Sequence, residues 1–218
     1  MSRKYLLANG EVYHIFNKSI ANFKIFNNKF DFKRMQEAIK YYRFEDASIR
    51  FVRFVSRRKK DKGDSIPSRQ SDRLVDIISY CIMPTHLHLV LQQTKDKGIS
   101  KFMSNVLNSY SRYFNIRHKR KGPLWEGRFK NILVKTDEQL IHLTRYIHLN
   151  PTSAGLVNKP NYWEFSSFNE YLEKTKTGSE ICSYEHLLDI NPNTYKKFVE
   201  NRVVYQRELS KIKSLILE

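Results

Sequence analysis

The sequence predicts an α+β fold of the ferredoxin-like type, a sandwich in which a layer of helices lies on an antiparallel sheet. Three observations predict it. The elements follow the order βαββαβ, the strand segments are rich in β-branched and aromatic residues, and the helical segments repeat apolar residues every three or four positions. With 218 residues, 40% of them hydrophobic, the chain is long enough for one well-buried domain.

The first half of the pattern contains a strand, a helix and a hairpin. The predicted elements are a strand at 11–16, a helix at 31–42 and two strands at 74–83 and 86–92. Pro84 and Thr85 break the chain between the paired strands. Residues 47–55 fit either a helix or a strand, and the stretch 56–72, rich in Lys, Arg, Gly, Pro and Ser, indicates a flexible insertion.

The second half adds a helix at 99–117, a strand at 129–134 and a helix that opens at 136–139 and ends at Pro151. An aromatic loop and two short helices follow. We therefore expect one domain at residues 1–172, with an insertion at about 45–72, and a small helical extension at 173–218.

The charge of the chain indicates a polyanionic partner. Its 39 Lys and Arg against 22 Asp and Glu give a formal charge of +17, and nucleic acid is the leading candidate. A generally basic, solvated surface is the alternative. Basic residues cluster at 57–60 and 117–121. The candidates for holding a nucleic-acid backbone are Lys119, Arg120, Lys121, Trp125, Arg128 and Lys130, although Trp125 also fits a core position.

Several locations and site types are disfavoured. No apolar run approaches the roughly 20 residues of a membrane-spanning helix, and the apolar patch at residues 5–8 is too short for a secretory signal. The two cysteines form no CxxC pair, and Cys81 fits a reduced, buried thiol. We expect a cytoplasmic protein with no membrane partner.

Two side-chain pairs carry the candidate chemistry. His86 and His88 alternate on one strand, so both imidazoles point to the same face and can bind one divalent metal. A hydrogen-bonded, partly buried pair is equally compatible with this spacing. Tyr146 and Asn150 lie one turn apart on a helix, and a phenol oxygen can attack a phosphorus centre to form a phosphotyrosine. Aromatic packing for Tyr146 and a simple helix end at Asn150 are the alternatives.

Several spaced motifs together resemble the single-tyrosine transposases of the HUH endonuclease superfamily, and most closely the REP-associated tyrosine transposases. The motifs are Tyr13-His14-Ile15, MPTHLHLVLQ from Met83, NSYSRYFN from Asn108, GPLWEGRFK from Gly122, RYIHLNPTSAGLV from Arg145 and Phe165-Ser166-Ser167. Thr85 departs from the family, whose members commonly have asparagine there, and the 56–72 insertion has no obvious counterpart.

The resemblance implies a nucleophile at Tyr146 and a Mg²⁺ or Mn²⁺ ion held by His86, His88 and Asn150. It implies nicking and strand transfer on single-stranded or hairpin DNA through a 5′-phosphotyrosine, by a monomer or a homodimer. Tyr110 is the main rival nucleophile. The alternatives are a non-catalytic DNA- or RNA-binding protein, a domesticated relative that only recognises hairpins, and a metallonuclease in which water attacks.

Overall fold

The computed structural model describes residues 6–47, 51, 72–175 and 180–208. At its centre is a four-stranded sheet in the order β2-β3-β1-β4, and every neighbouring pair is antiparallel. The strands are β1 (Val12–Lys18), β2 (Val75–Met83), β3 (His86–Gln93) and β4 (Lys130–Val134). The predicted βαββαβ order and the antiparallel sheet are confirmed.

Helices cover both faces of the sheet. They are α1 (Lys29–Tyr42), α2 (Gly98–Arg117), α3 (Asp137–Ser153), α4 (Phe168–Tyr171) and α5 (Pro192–Glu200), with short 3₁₀ turns at Ile20–Asn22 and Pro160–Tyr162. On β3, Leu87 and Leu89 join the large apolar cluster that α1 and α2 cover, whereas Val90 joins a second cluster with Ile147 of α3. The alternation of β3 therefore separates an α1/α2 face from an α3 face.

The start of α3 follows the predicted capping pattern. The Thr136 side chain accepts a hydrogen bond from the Gln139 backbone N–H, and the Gln139 side chain accepts one from the Lys135 backbone N–H. The first interaction satisfies an amide that the first helical turn leaves unpaired, and the second satisfies the amide of the residue before the cap. The cap fixes the beginning of the helix that carries Tyr146.

The predicted end of α3 at Pro151 is wrong, because the helix continues to Ser153. Proline lacks an N–H and so removes one helical hydrogen bond, but its fixed φ is compatible with a helix. Pro151 is buried, and packing offsets that loss. The Ala154 N–H donates to the Asn150 carbonyl and the Leu156 N–H donates to the Pro151 carbonyl, which closes the final turn.

The carboxyl-terminal segment packs on the outside of α3. Tyr195 and Val199 of α5 join a cluster with Leu149 of α3 and Phe168 of α4. The proposed domain boundary at residue 172 stays a prediction. Most of the predicted insertion at about 45–72, and most of the ambiguous stretch 47–55, lie outside the described residues. In the described ranges, no helix combines the length and apolarity needed to cross a membrane.

Candidate active site

The two histidines of β3 point to the α3 face of the sheet. His88 is paired with Cys81 of β2 and with Phe16 of β1, and His86 is paired with Lys18 of β1. The two imidazole rings are perpendicular, with centroids 5.1 Å apart. The shared orientation predicted from their spacing is therefore present in the fold.

A third histidine, His14 of β1, contacts this pair. Its Nε2 lies 3.0 Å from His88 Nδ1, so one nitrogen donates a hydrogen bond and the other accepts it. The contact leaves His88 Nε2 for another partner. In the sequence, His14 stands out only as part of a motif, although its position on β1, two residues before Phe16, places it on the same face.

Thr85 orients the other imidazole in the same way. Its Oγ1 lies 3.0 Å from His86 Nδ1, which leaves His86 Nε2 for another partner. Hydrogen bonds of this kind fix the tautomer and orientation of a histidine. The departure from the family pattern at Thr85 thus supplies a polar contact to the site.

Burial keeps all three imidazoles neutral at physiological pH. It lowers the pKa of His14 to about 4, and burial together with the nearby charge of Lys18 lowers the pKa of His86 to about 4. For His88, burial first and then the neighbouring His14, His86 and Lys18 hold the pKa well below its usual value. A neutral imidazole has the free lone pair that metal coordination requires.

Tyr146 of α3 lies against the histidines. Its ring centroid is 6.0 Å from that of His88 in an edge-on arrangement, and the side chain is 39% exposed. Burial of the remainder raises the pKa of the phenol, so the hydroxyl carries its proton at neutral pH. The position combines access from solvent with proximity to the imidazoles.

Asn150 lies one turn after Tyr146 on α3. Its Nδ2 is buried and, among the residues that the structure describes, has no hydrogen-bond partner. The two ends of a carboxamide are assigned from their hydrogen bonds, so an unpaired end can be either the amide nitrogen or the oxygen. Within the described part of the chain, His, Cys, Asp and Glu form no cluster of three or more suited to a metal ion. A metal site here would need this carboxamide as its third ligand.

A buried polar network holds α3 against β2 and α5. His148 of α3 is fully buried, and its Nε2 lies 2.7 Å from Ser167 Oγ and 3.2 Å from Ser79 Oγ of β2. Its Nδ1 lies 2.8 Å from the Tyr195 hydroxyl, which donates to Thr144 Oγ1 at 2.9 Å. Because that hydroxyl uses its single proton on Thr144, it accepts from His148 Nδ1–H. The network fixes the helix that presents the phenol.

The rival tyrosine, Tyr110, lies elsewhere. It is 1% exposed, belongs to the cluster on the α1/α2 face and donates from its hydroxyl to the Ile25 carbonyl at 2.6 Å. Burial raises its pKa. Tyr110 is therefore a core residue, separated from the histidine pair by the sheet.

The six residues predicted to contact nucleic acid lie in three different places in the structure. Trp125 is buried in the large apolar cluster, and its indole N–H donates to the Leu107 carbonyl at 3.3 Å, so it takes the core position that was the alternative to a DNA contact. Arg128 and Lys130 are exposed and line a cavity of about 180 Å³ that Lys18 also lines, beside the histidines. Residues 119–121 form the turn after α2, where Lys119 and Lys121 are exposed and Arg120 is half-buried.

Comparison with known proteins supports the resemblance. Residues 47–150 match the family model described as IS200-like transposase. A curated protein of Haemophilus influenzae, provisionally named a REP-associated tyrosine transposase, is 27% identical over 104 residues, which cover 43% of this chain and 59% of that protein. The alignment thus spans less than two thirds of the relative's length.

A solved structure has the same fold. It is described as a REP-associated tyrosine transposase bound to a REP hairpin, and it superposes with a TM-score of 0.53 and 14% identity over 88% of this chain and 99% of that one. The predicted ferredoxin-like fold class is confirmed. Together with the family match over residues 47–150, these similarities confirm the predicted resemblance to the single-tyrosine transposases.

Proposed function

We propose that this protein is a tyrosine transposase that nicks and rejoins single-stranded DNA next to a hairpin. One observation carries the proposal: the Tyr146 ring of α3 lies 6.0 Å from the His88 imidazole, on the face of the sheet that α3 covers. A phenol ring and two imidazoles thus lie together at one solvent-accessible position, which supports a nucleophile at Tyr146. The cytoplasmic location expected from the sequence is part of the same proposal.

A divalent ion fits the residues present. His86 and His88 each use Nδ1 in a side-chain contact, and Asn150 has a buried carboxamide end that is unpaired within the described part of the chain. These three residues would hold Mg²⁺ or Mn²⁺, ions that prefer oxygen ligands and so would take phosphate oxygens at the remaining positions. When bound, such an ion polarises a phosphoryl oxygen and stabilises the charge that develops as the bond breaks.

The proposed step begins with the phenol oxygen of Tyr146. It attacks the scissile phosphorus in line, forms a Tyr146 Oη–P bond and displaces the 3′ oxygen. The phenol gives up its proton, for which water at the exposed rim is an acceptor, and the departing 3′ oxygen gains one. The products are a 5′-phosphotyrosine and a free 3′-hydroxyl, and attack by another 3′-hydroxyl reverses the step. No external energy source is needed, because the phosphodiester bond is conserved.

The basic residues beside the site support a DNA substrate. Lys18, Arg128 and Lys130 flank the histidines, and exposed lysines and arginines bind backbone phosphates. The solved relative is described as bound to a REP hairpin, and we extend a hairpin substrate to this chain as part of the proposal. Lys119, Arg120 and Lys121 would contact the more distant part of that substrate. A monomer or a homodimer is compatible with this arrangement.

The decisive experiment detects the covalent intermediate. The full-length protein is incubated with Mn²⁺ and with labelled hairpin DNA that carries single-stranded flanks, taken from palindromic repeats near the gene, and is then run on a denaturing gel. We expect a covalent adduct with the native protein and none with Tyr146→Phe or in EDTA. Tyr162→Phe is the matched control, because Tyr162 is 61% exposed and lies in the 3₁₀ turn after α3, outside the proposed site.

Three other outcomes would contradict the proposal. An adduct that survives in Tyr146→Phe would place the nucleophile on another residue. Cleaved DNA with no attached protein would indicate that water attacks. Binding that persists in EDTA, without cleavage under any condition, would indicate a non-catalytic or domesticated hairpin-binding protein.

A further inference from the structure

A groove lies between α1 and α2, on the face of the sheet opposite Tyr146. It encloses about 560 Å³, within the usual range for a small-molecule or nucleotide pocket. Three of its lining residues are arginines, and among the described residues none that lines it is acidic. The groove therefore concentrates positive charge at a concave surface that the proposed nicking site does not use.

One side of the groove is a continuous stripe of α2. Asn105, Asn108, Arg112 and Ile116 recur every three or four positions, and so they share one face of the helix. Ile116 is 74% exposed, although it is a large apolar residue. From residue 105 to residue 117 the stripe extends about 18 Å, which is long enough to follow several phosphates of a DNA strand.

On the other side of the groove, Arg34 of α1 holds its guanidinium close to two aromatic rings. The Arg34 guanidinium carbon lies 4.1 Å from the centroid of Phe51 and 5.4 Å from that of Tyr113. Its Nε is buried and, in the part of the chain that the structure describes, has no hydrogen-bond acceptor. Burial lowers the pKa of this arginine, an effect that Glu37 opposes. A buried, unsatisfied cationic donor is costly unless an anion pairs with it.

Two further arginines extend the positive charge along α2. Arg112 is exposed, and no carboxylate of the described residues lies within ion-pair distance of it. Arg117 donates to the Tyr113 hydroxyl at 3.2 Å and lies 3.9 Å from a carboxylate oxygen of buried Asp31. The Tyr113 hydroxyl donates to the same carboxylate oxygen at 2.8 Å, which holds its ring at the groove wall.

We propose that this groove binds an unpaired nucleotide of single-stranded DNA, as a second contact separate from the nicking site. The arginines would pair with its phosphates, the partly buried Tyr113 ring would pack against its base, and the carboxamides of Asn105 and Asn108 would bond the base edge. A duplex offers phosphates but keeps its bases stacked, so it could use only the arginines. The inference rests on the proposed function only in taking DNA as the nucleic acid.

Binding of oligonucleotides to the full-length protein tests the inference. Fluorescence anisotropy is measured with a labelled single strand that has no hairpin and with a duplex of the same sequence, over a range of salt concentrations. We expect Arg112→Gln to weaken binding of the single strand about fivefold or more and to reduce its salt-dependence slope by about 0.7. Lys101→Gln, which removes the same charge from α2 outside the groove, should change binding less than about twofold.

A second variant separates base recognition from charge. Asn108→Ala should weaken binding of the single strand and leave binding of the duplex unchanged, because only an unpaired base can reach a carboxamide in the groove. If Arg112→Gln behaves like Lys101→Gln, the groove does not bind DNA. If the single strand and the duplex weaken equally and Asn108→Ala has no effect, the groove is a general phosphate-binding surface, and the nucleotide site is refuted.

The two proposals fail separately. At saturating hairpin DNA, Arg112→Gln should still form the covalent adduct, and Tyr146→Phe should still bind the single strand with native affinity. Absence of an adduct with the native protein would refute the proposed function but would leave the binding result for the groove intact. Normal adduct formation together with unchanged oligonucleotide binding in Arg112→Gln would refute the groove alone.

Discussion

Removing the Tyr195 hydroxyl from the buried polar network of His148 should destabilise the protein more than the loss of one oxygen atom suggests. Tyr195→Phe deletes a single oxygen that accepts from His148 Nδ1 and donates to Thr144 Oγ1. The ring of phenylalanine fills the same space, so no cavity forms. The stability that is lost therefore comes only from hydrogen bonds, at a buried position that water does not reach.

The size of the destabilisation follows from the hydrogen-bond donor that the variant leaves unpaired. His148 is fully buried and neutral, because burial lowers its pKa to about 3, and its Nδ1–H would have no acceptor in the variant. An unsatisfied buried donor costs about 1–3 kcal/mol. For a chain of this length, each kcal/mol corresponds to a fall of about 2–4 °C in Tm, so we expect a decrease of roughly 2–12 °C.

Urea unfolding and thermal scans of matched variants measure this effect. Tyr162→Phe makes the same chemical change at a side chain that is 61% exposed, and it should change the free energy of unfolding by less than about 0.5 kcal/mol. The double variant Tyr195→Phe with His148→Leu should cost less than the sum of the two single changes, because it removes the stranded donor together with its partner. Equal stability of Tyr195→Phe and Tyr162→Phe would refute the network as drawn.

Three more predictions concern packing, thiol chemistry and the metal. Gly98→Ala should lower the free energy of unfolding, measured by urea titration, by about 3 kcal/mol, since a Cβ there would lie 2.1 Å from a backbone carbonyl oxygen. Gly127→Ala is the control and should leave the free energy of unfolding unchanged, because a Cβ at that position would have no atom within 4 Å. Cys81 and Cys182 are buried free thiols, and burial raises the pKa of both. A thiol reagent at pH 8 should therefore label neither cysteine before unfolding and both after it. Rapid labelling of the native protein would contradict this expectation. His14→Phe should weaken Mn²⁺ binding, measured by calorimetry, about tenfold or more, because the hydrogen bond that orients the His88 imidazole is lost. Unchanged affinity for Mn²⁺ would exclude an orienting role for His14.

Patterns within single elements were predictable because they depend on local periodicity. The hairpin of β2 and β3 begins and ends within about one residue of its predicted bounds, since its β-branched runs and the Pro84-Thr85 break are local signals. The capping pattern at Thr136 likewise marks the start of α3. The end of α3 was not predictable from Pro151, because the burial that offsets the proline depends on neighbours distant in sequence.

In the candidate site, too, local spacing was predictable and contact between elements was not. The spacing of His86 and His88 determined that they share a face, and the spacing of Tyr146 and Asn150 did the same on their helix. Neither pattern determined that the phenol would lie beside the imidazoles, because the crossing of a helix over a sheet depends on packing between them. The family resemblance, rather than periodicity, anticipated that juxtaposition.

By itself, the sequence determined the order of elements, the antiparallel class of the sheet, the positive charge and the two side-chain pairs, all of which follow from periodicity and composition. Only the tertiary structure decided that Trp125 is buried, that His14 contacts His88, and that Arg34 has a nitrogen beside aromatic rings that is unpaired among the described residues. These features depend on contacts between residues far apart in the chain. Such contacts are fixed by packing and burial, which no local pattern encodes.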